Sequence, residues 1–387
     1  MSAEINRSRR ALMDQSPALY AQSSVAQVVA PWLADHLPRL DRTVVHRLVQ
    51  LTTGILEHQS LLIEEIARGS AFRATAESNA MQVRRIVRDT RLSLEQVYYP
   101  LIRALVAEIP SDTLYLSMDE SAHTNIVRLF QIALISDATA LPLGFLVYAT
   151  DDAWAEDAPT LLADVAVLLP TEKQIILLAD RGHASSTFVN AVTAVGWDYI
   201  IRLPDDTLVE TTRGWQSVGQ LHPRRYPLRR FPQVAVWKTH QVMSNVVVYR
   251  YERAGFQAVR WYLITSLPPS VERCCEYACG WWQECGFKVL KSALFQWERS
   301  RVTRWGRVEV LLLGAACATW VAWMLGRQHE RRPTMKSTTI QPQPRRRRVV
   351  KDGLRCIADM QKGHRVLCLQ PPPPLRVLDY ERTFAIG

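Results

Sequence analysis

Three carboxylates in this 387-residue chain sit where a side chain can do chemistry. Asp119 follows the alternating stretch TLYLSM, Asp180 closes the apolar run QIILLA, and Glu284 lies within CEYACGWWQECGFKVLKSAL. Acids at strand ends of an α/β fold point into the crevice where ligands bind. Each acid alone has an ordinary explanation: a turn residue, a helix cap, or half of an i,i+4 Glu–Lys pair contributing about 0.2–0.5 kcal/mol. Together they offer three hard oxygen donors on separate elements able to meet at one sheet edge. Such a set suits Mg²⁺. Two such ions about 3.5–4 Å apart clamp the attacking and leaving oxygens of a phosphoryl transfer.

The stretch around Glu284 reads as one helix. A seven-residue step returns to within roughly 20° of its starting face, so Tyr277, Glu284 and Lys291 form a stripe with Lys288 beside it. Trp281, Trp282 and Phe287 load the same helix with aromatics that pack it firmly. His123 and His183 lie near the two aspartates, but HExxH spacing is absent and they read as polar lining. Cys274, Cys275, Cys279 and Cys285 cluster without CxxC spacing or a second half-site, which favours buried thiols over zinc.

The elements that must hold these residues follow from periodicity. Residues 21–110 are helical in pattern, with TVVHRLVQLTTGILEHQSLLIEEIA and MQVRRIVRDTRL carrying apolar residues at three-to-four spacing. Arg84, Arg85, Arg88 and Arg91 give this region a DNA-facing character with a helix-turn-helix flavour, or equally a solvated basic face. From 111 to 204 strands and helices mix: TLYLSMDES, a hairpin of LFQIALISD and LPLGFLVYAT, the helix APTLLADVAVLL, the buried strand QIILLAD, the helix SSTFVNAVTAVG and the strand DYIIRL. Residues 205–268 are β-rich, and 269–327 return to helix with an apolar run at 310–325 that reads as a buried core helix rather than a membrane span. Residues 1–20 read as a polar arm, and the basic, Pro-rich tail at 328–387, including Arg345–Arg348, reads as disordered.

The net charge of +10 and pI near 9.4 favour a polyanionic partner. Seven cysteines, an odd number, fit a reducing compartment, and the start MSAEINRSRRALMDQS has no apolar signal core, so a cytoplasmic protein is expected.

ADRG at 179–182, RWYLITSLP at 260–268 and Tyr277-x6-Glu284-x6-Lys291 together resemble a D-D-E transposase, most closely family four of the bacterial insertion-sequence transposases. The resemblance covers roughly residues 45–325 and implies a ribonuclease-H-like α/β core interrupted by a β insertion, preceded by a small helical domain. It implies that Asp119, Asp180 and Glu284 bind two Mg²⁺ ions, with Mn²⁺ as substitute. It further implies that Tyr277, Lys288, Lys291 and Arg181 contact DNA phosphates, and that Trp261 stacks on a base flipped from the DNA end. The implied activity is cut-and-paste transposition of double-stranded DNA by a homodimer bound to terminal inverted repeats and target. Two departures stand out: Gly280 occupies the Arg position of the motif, and ESAHTN follows Asp119 in place of the usual Gly-Thr or Arg-Thr type. A non-catalytic DNA-binding relative and a nuclease that never joins strands remain alternatives.

Overall fold

The computed structural model describes residues 23–123, 126–149, 157–221, 227–251, 259–330, 349–363 and 368–376. The Arg345–Arg348 run and the arm at 1–20 lie outside these residues.

The chain begins with a helical layer: α1 (Ala26–His36), α2 (Arg42–His58), the one-turn α3 (Ile63–Ile66), α4 (Ala76–Ile86) and α5 (Tyr99–Ala107), the last entered through a π turn at Leu94–Tyr98. Local chemistry sets the starts. The Asp41 carboxylate accepts from Thr43 and Val44 N–H at 2.9 and 3.3 Å, and Thr75 caps α4 through Ser78 N–H.

A mixed sheet follows. It comprises β1 (Thr113–His123), β2 (Val127–Ser136) and β3 (Thr139–Ala149), then α6 (Ala158–Ala166), β4 (Gln174–Ala179), α7 (Ser186–Ala194) and β5 (Asp198–Arg202). The hairpin between β2 and β3 turns on Asp137 and Ala138, both at positive φ (54° and 58°), as a two-residue hairpin turn requires. Of the two serines available to cap α7, Ser185 does so, accepting from Phe188 N–H at 3.2 Å.

The β-rich stretch supplies β6 (Leu208–Thr211), β7 (Gly214–Ser217), β8 (Leu228–Val236), β9 (Val242–Tyr251) and β10 (Val259–Thr265). Sheet order is β3-β2-β1-β4-β5-β10-β9-β8-β6-β7, with β1, β4 and β5 parallel and β10 antiparallel to β5. The insertion therefore extends the core sheet instead of forming a sheet of its own. This is the expected mixed α/β sheet with flanking helices.

The chain then runs through α8 (Glu272–Ala278), α9 (Trp281–Lys288), α10 (Trp305–Glu330) and α11 (Val349–Gln361). The single helix expected over 275–294 is broken: α8 and α9 are separate, and α9 runs into a π turn at Val289–Ala293. The expected core helix at 310–325 is α10, the one helix among the described residues long and apolar enough to cross a membrane. Its apolar window is 94% buried, against α2, α11 and β3.

Over residues 349–363 and 368–376 the tail departs from the expectation of disorder. Helix α11 lies on α10 so closely that a Cβ on Gly353 would stand 1.7 Å from the Ala322 carbonyl oxygen, a gap only glycine permits. Residues 368–376 then cross to the β2–β3 turn, where Asp137 N–H donates to the Arg376 carbonyl at 3.0 Å.

Candidate active site

Parallel pairing of β1 and β4 brings the two aspartates together. Met118 is in register with Ala179, and Asp119 and Asp180 each come one residue later on neighbouring strands about 4.8 Å apart. Strand β4 ends there, but β1 runs on to His123 against β2, so Asp119 lies within its strand and not at the strand end expected from sequence. The Asp119 carboxylate accepts from Glu120 N–H at 2.8 Å. Asp180 caps the short 3₁₀ turn Arg181–His183, accepting from Gly182 N–H at 2.8 Å, which aims its carboxylate out of the strand. Buried His183 stands 3.8 Å from Asp180 and stacks on Phe130, 5.7 Å away. Burial lowers its proton affinity, against the pull of Asp180 and Glu120.

Glu284 comes from the first turn of α9, exposed, while Gln283 and Phe287 on the same helix are buried. The carboxylates feel one another. Burial raises the Asp119 proton affinity, the Glu120 N–H opposes it, and the fields of Asp180, Glu284 and Glu120 complete a rise to about 7. Three acids on three elements therefore share one electrostatic site. Among the described residues, no three His, Cys, Asp or Glu side chains stand close enough to hold one ion as they are. The donor chemistry of carboxylate oxygens suits a hard divalent cation.

Tyr277 and Trp261 form a wall beside the acids. Their rings meet edge to face at 5.5 Å, and Trp261 also lies against Tyr249 at 6.4 Å. Burial pushes the Tyr277 hydroxyl up to about 12; Arg202 beside it pulls the other way, and Asp180 and Asp119 add to the rise. Arg202 is a site residue the sequence reading missed. It closes β5 as Asp180 follows β4, so the same end-of-strand signal that found the aspartates marks it too.

The remaining predicted residues spread around this centre. Arg181 is exposed directly after Asp180. Lys288 places its ammonium 5.4 Å from the ring centroid of Trp281, which is 62% exposed one turn before Glu284. Trp281, expected from sequence to help pack the helix, instead faces outward, with only Phe287 of the three aromatics buried. Lys291, in the π turn, lies within electrostatic reach of His123, whose proton affinity burial lowers; the Ser300 carbonyl and Glu298 oppose this, and Lys291 adds a smaller lowering. The stripe of Tyr277, Glu284 and Lys291 is thus bent. Tyr277 turns inward and Lys291 swings toward the far end of β1.

Gly280 sits at the break between α8 and α9, not inside a helix. A Cβ there would lie 3.1 Å from the Tyr277 carbonyl oxygen and 3.6 Å from Leu178 Cβ on β4. The residue faces the sheet, two positions before Asp180 on the strand it covers.

Residues 127–321 match the family model described as the transposase DDE domain. Asp180 and Glu284 fall within the match, and Asp119 lies eight positions before it. Among solved structures the chain is similar to the piggyBac transposase synaptic complex with hairpin DNA, at 8% sequence identity and a TM-score of 0.45. The likeness covers 89% of this chain and 79% of that one. No curated protein matches the sequence significantly.

Proposed function

The chain belongs to the transposase DDE-domain family, whose model spans half of its length, and from that premise we propose that Asp119, Asp180 and Glu284 are its catalytic acids in cut-and-paste DNA transposition. The observation that supports the assignment is the placement of Asp119 and Asp180 one residue past an in-register pair on parallel β1 and β4. Glu284 is near enough for its field to add to the burial that raises the Asp119 proton affinity. Acids gathered against their own repulsion call for a cation. Asp119, Asp180 and Glu284 would hold divalent ions, two Mg²⁺ with Mn²⁺ as substitute. Such ions supply Lewis acidity toward the scissile phosphate and the attacking oxygen.

The chain's own residues do the rest. Arg181 and Lys288, both exposed at the rim, neutralise phosphates on either side of the acids. Arg202 orients the Tyr277 hydroxyl, and the pair supports DNA from the sheet side. Trp261 closes the wall behind Tyr277, and exposed Trp281 offers a face on which a base can stack, an interaction worth about 1–3 kcal/mol. Lys291 extends the positive rim toward the end of β1. The partner is double-stranded DNA. Holding two transposon ends at once needs two copies of the chain, in the cytoplasm where the DNA lies.

A second reading, a relative that binds DNA without cutting it, draws on Gly280 in place of an arginine and on the unclosed acid set. The test is strand cleavage. Purified protein is incubated with a duplex carrying the end of the DNA segment that encodes it, with Mg²⁺, with Mn²⁺ and with chelator. The proposal expects metal-dependent nicking at the end, and binding without nicking in any metal favours the second reading.

A further inference from the structure

The helical layer carries a second concentration of positive charge, distinct from the acid site. Around α4 several cations are spent on ion pairs. Arg84 donates to Glu64 at 2.7 Å, Arg91 to Asp89 at 3.0 Å, and Arg47 of α2 also pairs with Asp89. Arg91 reaches Asp41 as well, at 3.8 Å. These contacts use the local acids. Arg88, exposed in the turn after α4, has no acidic partner among the described residues, and neither have Arg304 and Arg307 at the start of α10.

Arg88 lies within electrostatic reach of Arg307, and Arg304 one turn before it, although the two segments are more than two hundred residues apart in sequence. Helix α10 lies on α2 with Gly314 seated against Leu51 and Ile55, where a Cβ would come within 2.7 Å of Leu51. Arg307 stands two turns before Gly314 on α10, and Arg47 one turn before Leu51 on α2. Arg47 grips Asp89, the neighbour of Arg88. Arg304 sits one turn before Arg307, its carbonyl accepting from Arg307 and Val308 N–H at 2.9 and 3.0 Å. Burial and then the fields of Arg88 and Arg304 depress the proton affinity of Arg307, so like charges crowd here without relief. Trp305, between the two arginines in sequence, is 53% exposed.

This cluster continues the rim of the acid site. His123 lies four residues beyond Asp119 on β1, about 13 Å by strand rise. Its ring is 3.3 Å from the Ser300 carbonyl and stacks on Trp297 at 4.6 Å. From Ser300 the chain passes exposed Arg301 and reaches Arg304 within four residues, at most about another 13 Å. The whole path is shorter than one turn of B-form DNA, about 34 Å.

We propose that Arg88, Arg304 and Arg307 form a docking surface for the sugar-phosphate backbone of the same DNA duplex whose scissile phosphate meets the carboxylates, gripping it within about one helical turn of the cut. The inference rests on the transposase reading for the choice of duplex. Continuity with the positive rim favours DNA over an acidic protein or a second copy of the chain.

The experiment compares full-length wild-type protein with the triple variant Arg88→Gln, Arg304→Gln, Arg307→Gln and with the matching triple lysine variant. Affinity for an end-bearing duplex of about 40 base pairs is measured across a salt series, then repeated with that duplex cut back to within about half a turn of the cleavage point. Each phosphate contact adds about 0.9 to the log–log salt slope, so the glutamine variant should lose about 2–3 units of slope and at least tenfold in affinity on the long duplex. The lysine variant should keep the slope. Wild type should weaken on the short duplex, and the glutamine variant should bind both lengths alike. A folded glutamine variant with wild-type slope and affinity overturns the proposal, as does a change in oligomeric state with the slope intact. Wild type that shows the slope differences yet nicks no DNA would sink the catalytic reading and leave the docking surface standing.

Discussion

Two carboxylates, one in the β2–β3 turn and one within β1, show how differently the fold answers a charge. Asp137, at the β2–β3 turn, has a fully buried side chain, and Arg327, 2% exposed, clasps it through Nη1 at 2.7 and 2.6 Å. Trp323 Nε1 and Ser136 Oγ also donate to it, at 3.1 and 2.7 Å, and Arg327 reaches on to the Pro374 carbonyl at 2.9 Å. This acid is satisfied from within the chain, and it pins the returning tail to the sheet. Asp119 is the reverse: its electrostatic neighbours include three further carboxylates, Asp180, Glu284 and Glu120. A charge answered internally is architecture, and a charge surrounded by its own sign waits for something from outside. The crowding of Arg88, Arg304 and Arg307 repeats that second pattern with the sign reversed.

The contrast can be broken first at Arg327. Arg327→Met leaves a buried carboxylate without its cation and should cost about 3–5 kcal/mol, read as a lower urea midpoint. Adding Asp137→Asn to it should recover part of the loss. A single variant as stable as wild type would show that the clasp is incidental.

At Asp119 the expected effect is smaller and depends on pH. The folded carboxyl keeps its proton up to about 7, against about 3.9 in the unfolded chain. Metal-free stability is therefore fully present below the unfolded value and is lost as pH rises toward 7, by about 1–3 kcal/mol once partial exposure is allowed for. Asp119→Asn should flatten this slope, and Mg²⁺ at pH 8 should raise the melting temperature of wild type but not of the variant. An unchanged slope in Asp119→Asn would remove the residue from the strained set.

The smallest effect is at Gly280. A helix interior would gain about 1 kcal/mol from Gly280→Ala. Crowding against the Tyr277 carbonyl should cancel or reverse that gain, and Gly280→Arg should leave DNA-end affinity unimproved. A melting temperature several degrees higher in the alanine variant would show that the sheet side yields.

Part of the acid site was legible because a strand end announces itself. QIILLA does stop at Asp180, whereas β1 runs on past Asp119 to His123, so only the parallel register of β1 with β4 sets the two acids side by side. Glu284 was legible from the spacing around it. The bend at residues 279–280 was not, since every residue there has helical backbone angles and only the closeness of Leu178 reveals why the helix divides. Nor was α11, whose neighbours in sequence are basic and Pro-rich. Its attachment depends on Gly326 and Gly353 allowing backbone contact, a tertiary fact that composition hides. The arginine cluster was half visible. Arg84 and Arg91 looked the same as Arg88 until their acid partners were placed.

The central claim is that three carboxylates act as one metal-dependent site, and single substitutions at each test it most directly. Asp119→Asn, Asp180→Asn and Glu284→Gln are compared with wild type for end nicking in Mg²⁺ and for end binding in chelator. The account predicts that each abolishes nicking while binding stays near the wild-type level, because each removes a ligand and none removes a DNA contact. Near-normal nicking by any one of the three folded variants would contradict it.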